Sequence, residues 1–398
     1  MHFSKKALAI SPSPTLKVTA MEKEMLSSGK DVIGFGAGEP DMDTPDYIKQ
    51  AAKEALDRGI TKYTPASGTV DLKKAVAARL KRKYSLTYEP AQIVISNGAK
   101  HSLFNAFQAI LNPGDEVIII LPYWVTYPEL VKMADGVPVY VEAAEADNFE
   151  PKLQDIAAAI TDRTVAIIVN SPSNPCGCVY SRETLAGIAD LAKKHDLYVV
   201  ADEIYDELTY DKTEHVSFPS LSQDAYSRTI LVNGLSKAYS MTGWRMGYTA
   251  SSKELAKIMD SYQSHATSNP SSITQYASVA ALNGPQEDLA AMVAEFKLRR
   301  DMMVELIGKM KGVTCIKPEG AFYVMLDITG VIGKKCGGKT VTGSLDFTEL
   351  LLEKSLVAVV PGMAFGADHF VRLSYATSRE NIQKGLGRIA EFVEGLEE

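Results

Sequence analysis

The sequence of 398 residues has only four cysteines, at positions 176, 178, 315 and 336. They are too few and too scattered for a disulfide framework. Cys176-Gly177-Cys178 places two thiols close together, which invites a metal reading. Zinc takes about four N/S ligands, however, and no His/Cys group follows at finger-like spacing, so no metal is expected. Charge of one sign is nowhere concentrated: the net charge is −7 and no block of five like charges occurs. Nucleic acid and a membrane surface are therefore not expected partners. No apolar run approaches about 18 residues, so no segment is expected to span a bilayer. Met1–Ser13 has two lysines but no apolar core long enough for a secretory signal. With reduced thiols, the cytoplasm is the expected compartment. Internal repeats and low-complexity stretches are also missing.

What is present is an ordinary globular composition, 46% hydrophobic and 23% charged, at a length that suits two domains. Seven short apolar runs read as strands: Ile93–Ser96, Glu116–Ile120, Val137–Val141, Val165–Val169, Leu197–Ala201, Thr229–Val232 and Gly247–Ala250. Most are continuous rather than alternating, as expected of a parallel sheet covered by helices on both faces. Helices are expected between them, among them Ala99–Leu111, Ser181–His195 and Glu254–His265, with Ser181 placed to cap the second. The fold class is thus α/β with a mostly parallel sheet. Near residue 285 the texture changes to a long amphipathic helix over Gln286–Lys311. Strands at Ala321–Leu326, Val357–Val360 and Phe370–Ser374 follow, then a closing helix from Ser378 to Glu394. Ile332–Ser344, rich in Gly and Lys, reads as an exposed loop. The expected division is 1–46 as an N-terminal segment of a small domain, 47–290 as a large domain and 291–398 as the rest of the small domain.

The chemistry-bearing strings come next. In Ser236-Lys237-Ala238-Tyr239-Ser240-Met241-Thr242-Gly243-Trp244-Arg245, a lysine follows an apolar strand and an arginine stands eight positions later. That pattern suits an amine held as a Schiff base with an arginine clamping a phosphate. Asp202 ends a strand in Ala201-Asp202-Glu203-Ile204-Tyr205, and Asn170-Ser171-Pro172-Ser173-Asn174-Pro175 closes the strand before it. Ser96-Asn97-Gly98-Ala99-Lys100 joins a strand to a helix, where backbone N–H groups bind phosphate. Pro122-Tyr123-Trp124 follows another strand; Arg372 sits inside Val371–Ser374; Gly38 lies in Gly36-Ala37-Gly38-Glu39-Pro40-Asp41; Tyr63 lies in Lys62–Pro65. Singly, each has a plain structural explanation: a capped turn, a core tryptophan, a solvated arginine.

Together and in this order they resemble the pyridoxal-phosphate aminotransferases of the aspartate aminotransferase family, over about residues 10–394. The resemblance implies a fold-type I transferase, its large domain built on a seven-stranded, mostly parallel sheet between helices, with a smaller α/β domain. It implies pyridoxal 5'-phosphate as cofactor and Lys237 as the catalytic Schiff-base lysine. Asp202 would face the pyridine nitrogen, with Tyr205 and Asn174 at the phenolate oxygen and Trp124 stacked on the ring. Gly98, Ala99, Lys100 and Arg245 would form the phosphate cup, joined by Tyr63 from a neighbouring subunit of a homodimer with shared sites. The family's usual serine three residues before the lysine is Gly234 here, which leaves Ser236 as the nearby hydroxyl. Arg372 would grip the substrate α-carboxylate, and Gly38 would lie over the bound amino acid. The Asn174–Pro175 bond is expected to be cis.

The arginine that classical aspartate enzymes use for the distal carboxylate has no counterpart, since Tyr262–Gln275 contains no arginine. A bacterial branch instead uses a lysine in the phosphate-cup segment and a threonine near the N-terminus, which Lys100 and Thr15 match. The resemblance therefore implies aspartate and 2-oxoglutarate as substrates, with prephenate compatible. Other donors, aromatic amino acids or alanine, and a carbon–sulfur β-lyase on the same fold stay open as alternatives.

Overall fold

A computed structural model describes residues 2–12 and 14–398, apart from the side chains of residues 14–19 and 22. In chain order the strands are β1 (Ile33–Gly34), β2 (Ile93–Ser96), β3 (Glu116–Leu121), β4 (Val137–Glu142), β5 (Thr164–Asn170), β6 (Tyr198–Asp202), β7 (Thr229–Gly234), β8 (Gly247–Ala250), β9 (Thr314–Cys315), β10 (Tyr323–Asp327), β11 (Lys335–Cys336), β12 (Lys339–Thr340), β13 (Val357–Ala358), β14 (Val360–Pro361) and β15 (Phe370–Ser374). Strands β2 to β8 form one sheet in the order β2-β8-β7-β6-β5-β3-β4. All pairs are parallel except those of β8, which runs antiparallel to both neighbours.

The continuous apolar runs follow from this sheet having two buried faces. Along β3, Ile118 and Ile120 enter one apolar cluster while Val117 and Ile119 enter another. Strands β5 and β7 alternate likewise, with Ile167, Val169 and Leu231 on the first face and Ala166, Ile168, Ile230 and Val232 on the second. Helix Val70–Tyr84 covers the first face through Leu72, Val76 and Leu80. Helices Ala99–Ile110 and Lys253–Ala266 cover the second through Leu103, Phe107 and Met259. Each such side chain contributes roughly 1.5–3 kcal/mol by burial. The C-terminal ends of the parallel strands deliver Asn170, Asp202 and the chain after Leu121 to one rim, where an open α/β sheet binds its ligands.

A smaller antiparallel sheet, in the order β14-β15-β10-β9, has its own apolar cluster. Along β15, Val371 and Leu373 point into that cluster. The period of two sends Arg372 to the opposite face, toward the larger sheet's rim. Strand β1 pairs in parallel with β13, Ile33 opposite Val357 and Gly34 opposite Ala358.

Three readings need correction. Val357–Val360 is not one strand: the chain leaves the β1 pair after Ala358, passes buried Val359, and joins β15 as β14. Strand β10 begins at Tyr323 rather than Ala321, whose φ of +55° is incompatible with an extended strand. The loop Ile332–Ser344 carries a short hairpin, β11 with β12, and Lys335 exchanges backbone hydrogen bonds with Glu397. Helix Arg182–Lys194 is capped by Ser181, whose hydroxyl accepts from the Thr184 N–H. The long helix spans Glu287–Ile307. No helix among the described residues is long and apolar enough to cross a membrane.

Candidate active site

A cavity of about 250 Å³ opens at the strand rim facing β15. Eleven residues singled out in the sequence line it: Gly38, Ala99, Lys100, Trp124, Asn174, Asp202, Tyr205, Ser236, Lys237, Arg245 and Arg372. Gly98, the N-cap of helix Ala99–Ile110, is not among the lining residues.

Asp202 is 2% exposed at the end of β6. Its Oδ2 accepts from the Tyr127 hydroxyl at 2.8 Å and its Oδ1 from the Ile204 N–H at 3.2 Å. Burial pushes its carboxyl up to about 6, against the pull of these two donors. Buried charges are stable only when paired, and Asp202 lines the cavity where a cationic group could meet it.

Asn174 sits in a turn whose bonds to Pro172 and Pro175 are both cis. The Asn170 side chain holds this turn by accepting from the Asn174 N–H at 2.9 Å and donating to the Asp202 carbonyl at 3.0 Å. Arg372, 2% exposed, donates through Nη1 to the Asn174 Oδ1 at 2.9 Å and through Nη2 to the Gly36 carbonyl at 3.1 Å. With Oδ1 engaged, the amide nitrogen of Asn174 is its remaining polar group. The buried Nε of Arg372 has no partner among the described residues. An unsatisfied buried guanidinium donor is costly without an anion to receive it.

Lys237 follows β7 and its Nζ donates to the Gly38 carbonyl at 2.5 Å. Burial lowers its amine to about 8, helped by Arg245 and Arg372 and opposed by Glu39 and Asp202. Gly98 has a φ of +87°, and a Cβ there would fall 2.2 Å from Nη2 of Arg245. Only glycine therefore lets the arginine lie against the start of helix Ala99–Ile110. Arg245 itself donates to the carbonyls of Thr242 at 2.8 Å and Asn97 at 3.2 Å. Among the described residues the N–H groups of Ala99 and Lys100 meet no acceptor. Two free N–H groups, a helix start and a guanidinium converge, as a phosphate requires. At Gly234, a Cβ would come 2.8 Å from the Met246 carbonyl across the β7–β8 pair, so a side chain has no room. Ser236, two residues on, does line the cavity.

Lys100 donates to Thr126 Oγ1 at 3.1 Å with Nζ 4.9 Å from the Trp124 ring. Partial burial and Arg245 lower its amine. Two residues stand apart. Tyr63 is 89% exposed and touches no part of the cavity wall. The side chain of Thr15, in helix Pro14–Ser27, lies outside the described residues.

Six wall residues were not singled out in the sequence: Gly36, Tyr127, Asn170, Ile204, Thr242 and Tyr323. Besides Asn170, three of these bear on the candidate site through their side chains. Tyr127 orients Asp202; Tyr323 shares a 2.9 Å hydrogen bond with the Tyr205 hydroxyl; Thr242 bridges Arg245 and Glu39. Tyr127 stands three residues after Trp124, and an aromatic so near a ring-stacking candidate was the available signal. The orphaned Arg372 Nε, the space over Gly98, the free N–H groups and the buried Asp202 fit a phosphorylated pyridine aldehyde and an amino acid carboxylate.

The sequence model of the family Aminotransferase class I and II matches residues 30–389. The aspartate aminotransferase of Bacillus subtilis (strain 168) is 46% identical over 394 residues, covering 99% of each chain. The aspartate/prephenate aminotransferase of Cereibacter sphaeroides is 47% identical over 399 residues, covering all of both. Among solved structures, the aspartate aminotransferase from Rhizobium meliloti superposes with a TM-score of 0.96 at 43% identity, covering 100% of both chains. A Thermus thermophilus aspartate aminotransferase with maleate gives 0.92 at 43% identity, covering 98% of this chain and 99% of that one.

Proposed function

The chain belongs to the class I and II aminotransferases, and from that premise we propose that it holds pyridoxal 5'-phosphate on Lys237 and moves the amino group between L-aspartate and 2-oxoglutarate. One observation carries the reading: Lys237, Asp202, Arg245 and Arg372 converge on a single cavity, with an amine already depressed to about 8. Similarity over whole chains to aspartate aminotransferases supports the same choice.

Pyridoxal phosphate, when bound, supplies an aldehyde that condenses with amines and a ring that takes up the electron pair released at the α-carbon. The chain's residues do the rest. Asp202, aimed by Tyr127 and Ile204, would hold a proton on the pyridine nitrogen. Tyr205 and the Asn174 amide would donate to the phenolate oxygen, and Trp124 would cover one ring face. Arg245 with the Ala99 and Lys100 N–H groups would hold the phosphate. Arg372 would take the α-carboxylate as a fork. Lys237 would move the proton from the α-carbon as a general base, which requires a neutral amine near working pH.

Lys100 is the cation for a distal carboxylate. A relative solved with maleate, itself a dicarboxylate, supports that role, and Thr15 is proposed as its companion on the N-terminal segment. A second acceptor, prephenate, is favoured by an adjoining hollow of about 570 Å³ that shares Lys100 and Arg245 with the site. A Cereibacter sphaeroides relative named for both activities supports it.

We further read the active form as a homodimer with shared sites. Tyr63 is an exposed aromatic and Arg245 is open to solvent on one side, as expected if a second copy completes the phosphate cup. Residues 47–290 would hold the cofactor, while 1–46 with 291–398 would close over the substrate. The test is steady-state rates for a panel of amino donors with 2-oxoglutarate. Aspartate should rank first, and a ranking led by alanine or an aromatic donor would overturn the substrate assignment.

A further inference from the structure

The loop Gly36–Asp41 is anchored at both ends on the smaller-sheet side. The Phe35 carbonyl accepts from the Ser374 N–H at 2.8 Å and the Gly36 carbonyl from Arg372 at 3.1 Å. At the far end Asp41 pairs with Arg299 at 2.6 Å, and Arg299 is tied to Glu295 at 2.8 Å. Between these anchors the loop leans across onto the segment after β7. Among the described residues it makes two hydrogen bonds there. Lys237 donates to the Gly38 carbonyl at 2.5 Å, and the Thr242 hydroxyl donates to Glu39 Oε2 at 2.6 Å. Thr242 is itself fixed, because its carbonyl receives Arg245 at 2.8 Å.

The first of these bonds is lost whenever the Lys237 amine turns into the cavity. The second is then the remaining hydrogen bond between this loop and the cofactor side. We propose that the Thr242 hydroxyl and the Glu39 carboxylate form a latch that positions the Gly36–Asp41 loop over Lys237. The inference rests on Lys237 being the reacting amine, and it makes Glu39 and Thr242 positioning residues. The loop carries the Gly36 carbonyl that Arg372 grips, so the latch couples the substrate arginine to the lysine segment. It also holds a carboxylate near the amine. The charged groups acting on Lys237 are Glu39 and Asp202 on one side and Arg245 and Arg372 on the other. Removing Glu39 therefore leaves the amine with less support for its protonated form.

The latch is tested by trace acetylation of the full chain in its cofactor-free form across pH, with Lys237 labelling read by peptide mass spectrometry. The limiting rate at high pH reports how well the loop covers the amine, and the midpoint reports its charge environment. Thr242→Val keeps the shape and removes the donor, so the limiting rate should rise several-fold. Glu39→Gln keeps an acceptor oxygen and removes the charge, so the limiting rate should stay while the midpoint moves to lower pH. Glu39→Ala should show both effects, and it carries the test if the valine variant fails to fold. Limiting rates equal to wild type in Thr242→Val and Glu39→Ala would overturn the latch. Turnover retained in Lys237→Ala would instead remove the reading of the lysine, which the labelling does not presuppose.

Discussion

The Tyr127 hydroxyl donates to Oδ2 of Asp202 at 2.8 Å, and both residues are about 2% exposed. A phenol that desolvation makes reluctant to ionise thus aims a carboxylate that desolvation makes reluctant to charge. The pair decides which direction the anion faces.

Tyr127→Phe removes that donor while keeping the ring packed against Trp124. A hydrogen bond to a charged group is worth roughly 1.5–3 kcal/mol, or about ten- to a hundred-fold in affinity. The affinity for pyridoxal phosphate, followed by absorbance on dilution, should fall by that factor. Unchanged affinity would mean that the Ile204 N–H alone orients Asp202.

Asp202 should cost the cofactor-free chain stability at neutral pH. Its folded carboxyl titrates at about 6 against an ordinary 3.8, so the folded chain binds the proton more tightly. The stabilisation is complete below 3.8 and lost as pH rises through about 6. Asp202→Asn should therefore stabilise the cofactor-free chain by roughly 2–3 kcal/mol at neutral pH and by little at about pH 4. Urea denaturation at the two pH values reads this. The same variant should bind pyridoxal phosphate poorly. A stability difference between Asp202→Asn and wild type that is the same at both pH values would show that Asp202 keeps an ordinary carboxyl.

Lys100 is a point charge on a flexible stem, suited to distal carboxylates of varied reach. Lys100→Met should lower kcat/KM for aspartate and prephenate by about ten- to a hundred-fold while alanine changes little. An equal loss for all three would assign Lys100 to the phosphate or the fold.

Shared sites are read by subunit mixing. Lys237→Ala and Tyr63→Phe chains, each weak alone, should form hybrids in which one of the two sites is restored. Hybrids no more active than the parents, with subunit exchange confirmed, would place each site within one chain.

The seven strands of the larger sheet were legible to within a few residues because both faces are buried, so Ile118, Ile119 and Ile120 stand together where a half-exposed strand would alternate. The cap Ser181 was an equally local signal. Legibility failed where the information is not local. Val357–Val360 is apolar throughout, and nothing within it says that its halves pair with different partners. Tyr323 meets Tyr205 across 118 residues, in a strand whose Val324 and Leu326 are simply core. Glu39 and Thr242 were inside strings already singled out, but their contact depends on how the two sheets face each other. Gly234 shows the converse, a departure visible in sequence whose cause, the Met246 carbonyl, is visible only in space.

The central claim is that Lys237 carries the cofactor. Its most direct test is borohydride reduction of the protein loaded with pyridoxal phosphate, followed by digestion and peptide mass spectrometry. The expected result is one phosphopyridoxyl group on the peptide containing Lys237, with the label absent in Lys237→Ala. A label on another lysine, or none on a protein shown by absorbance to hold the cofactor, would contradict it.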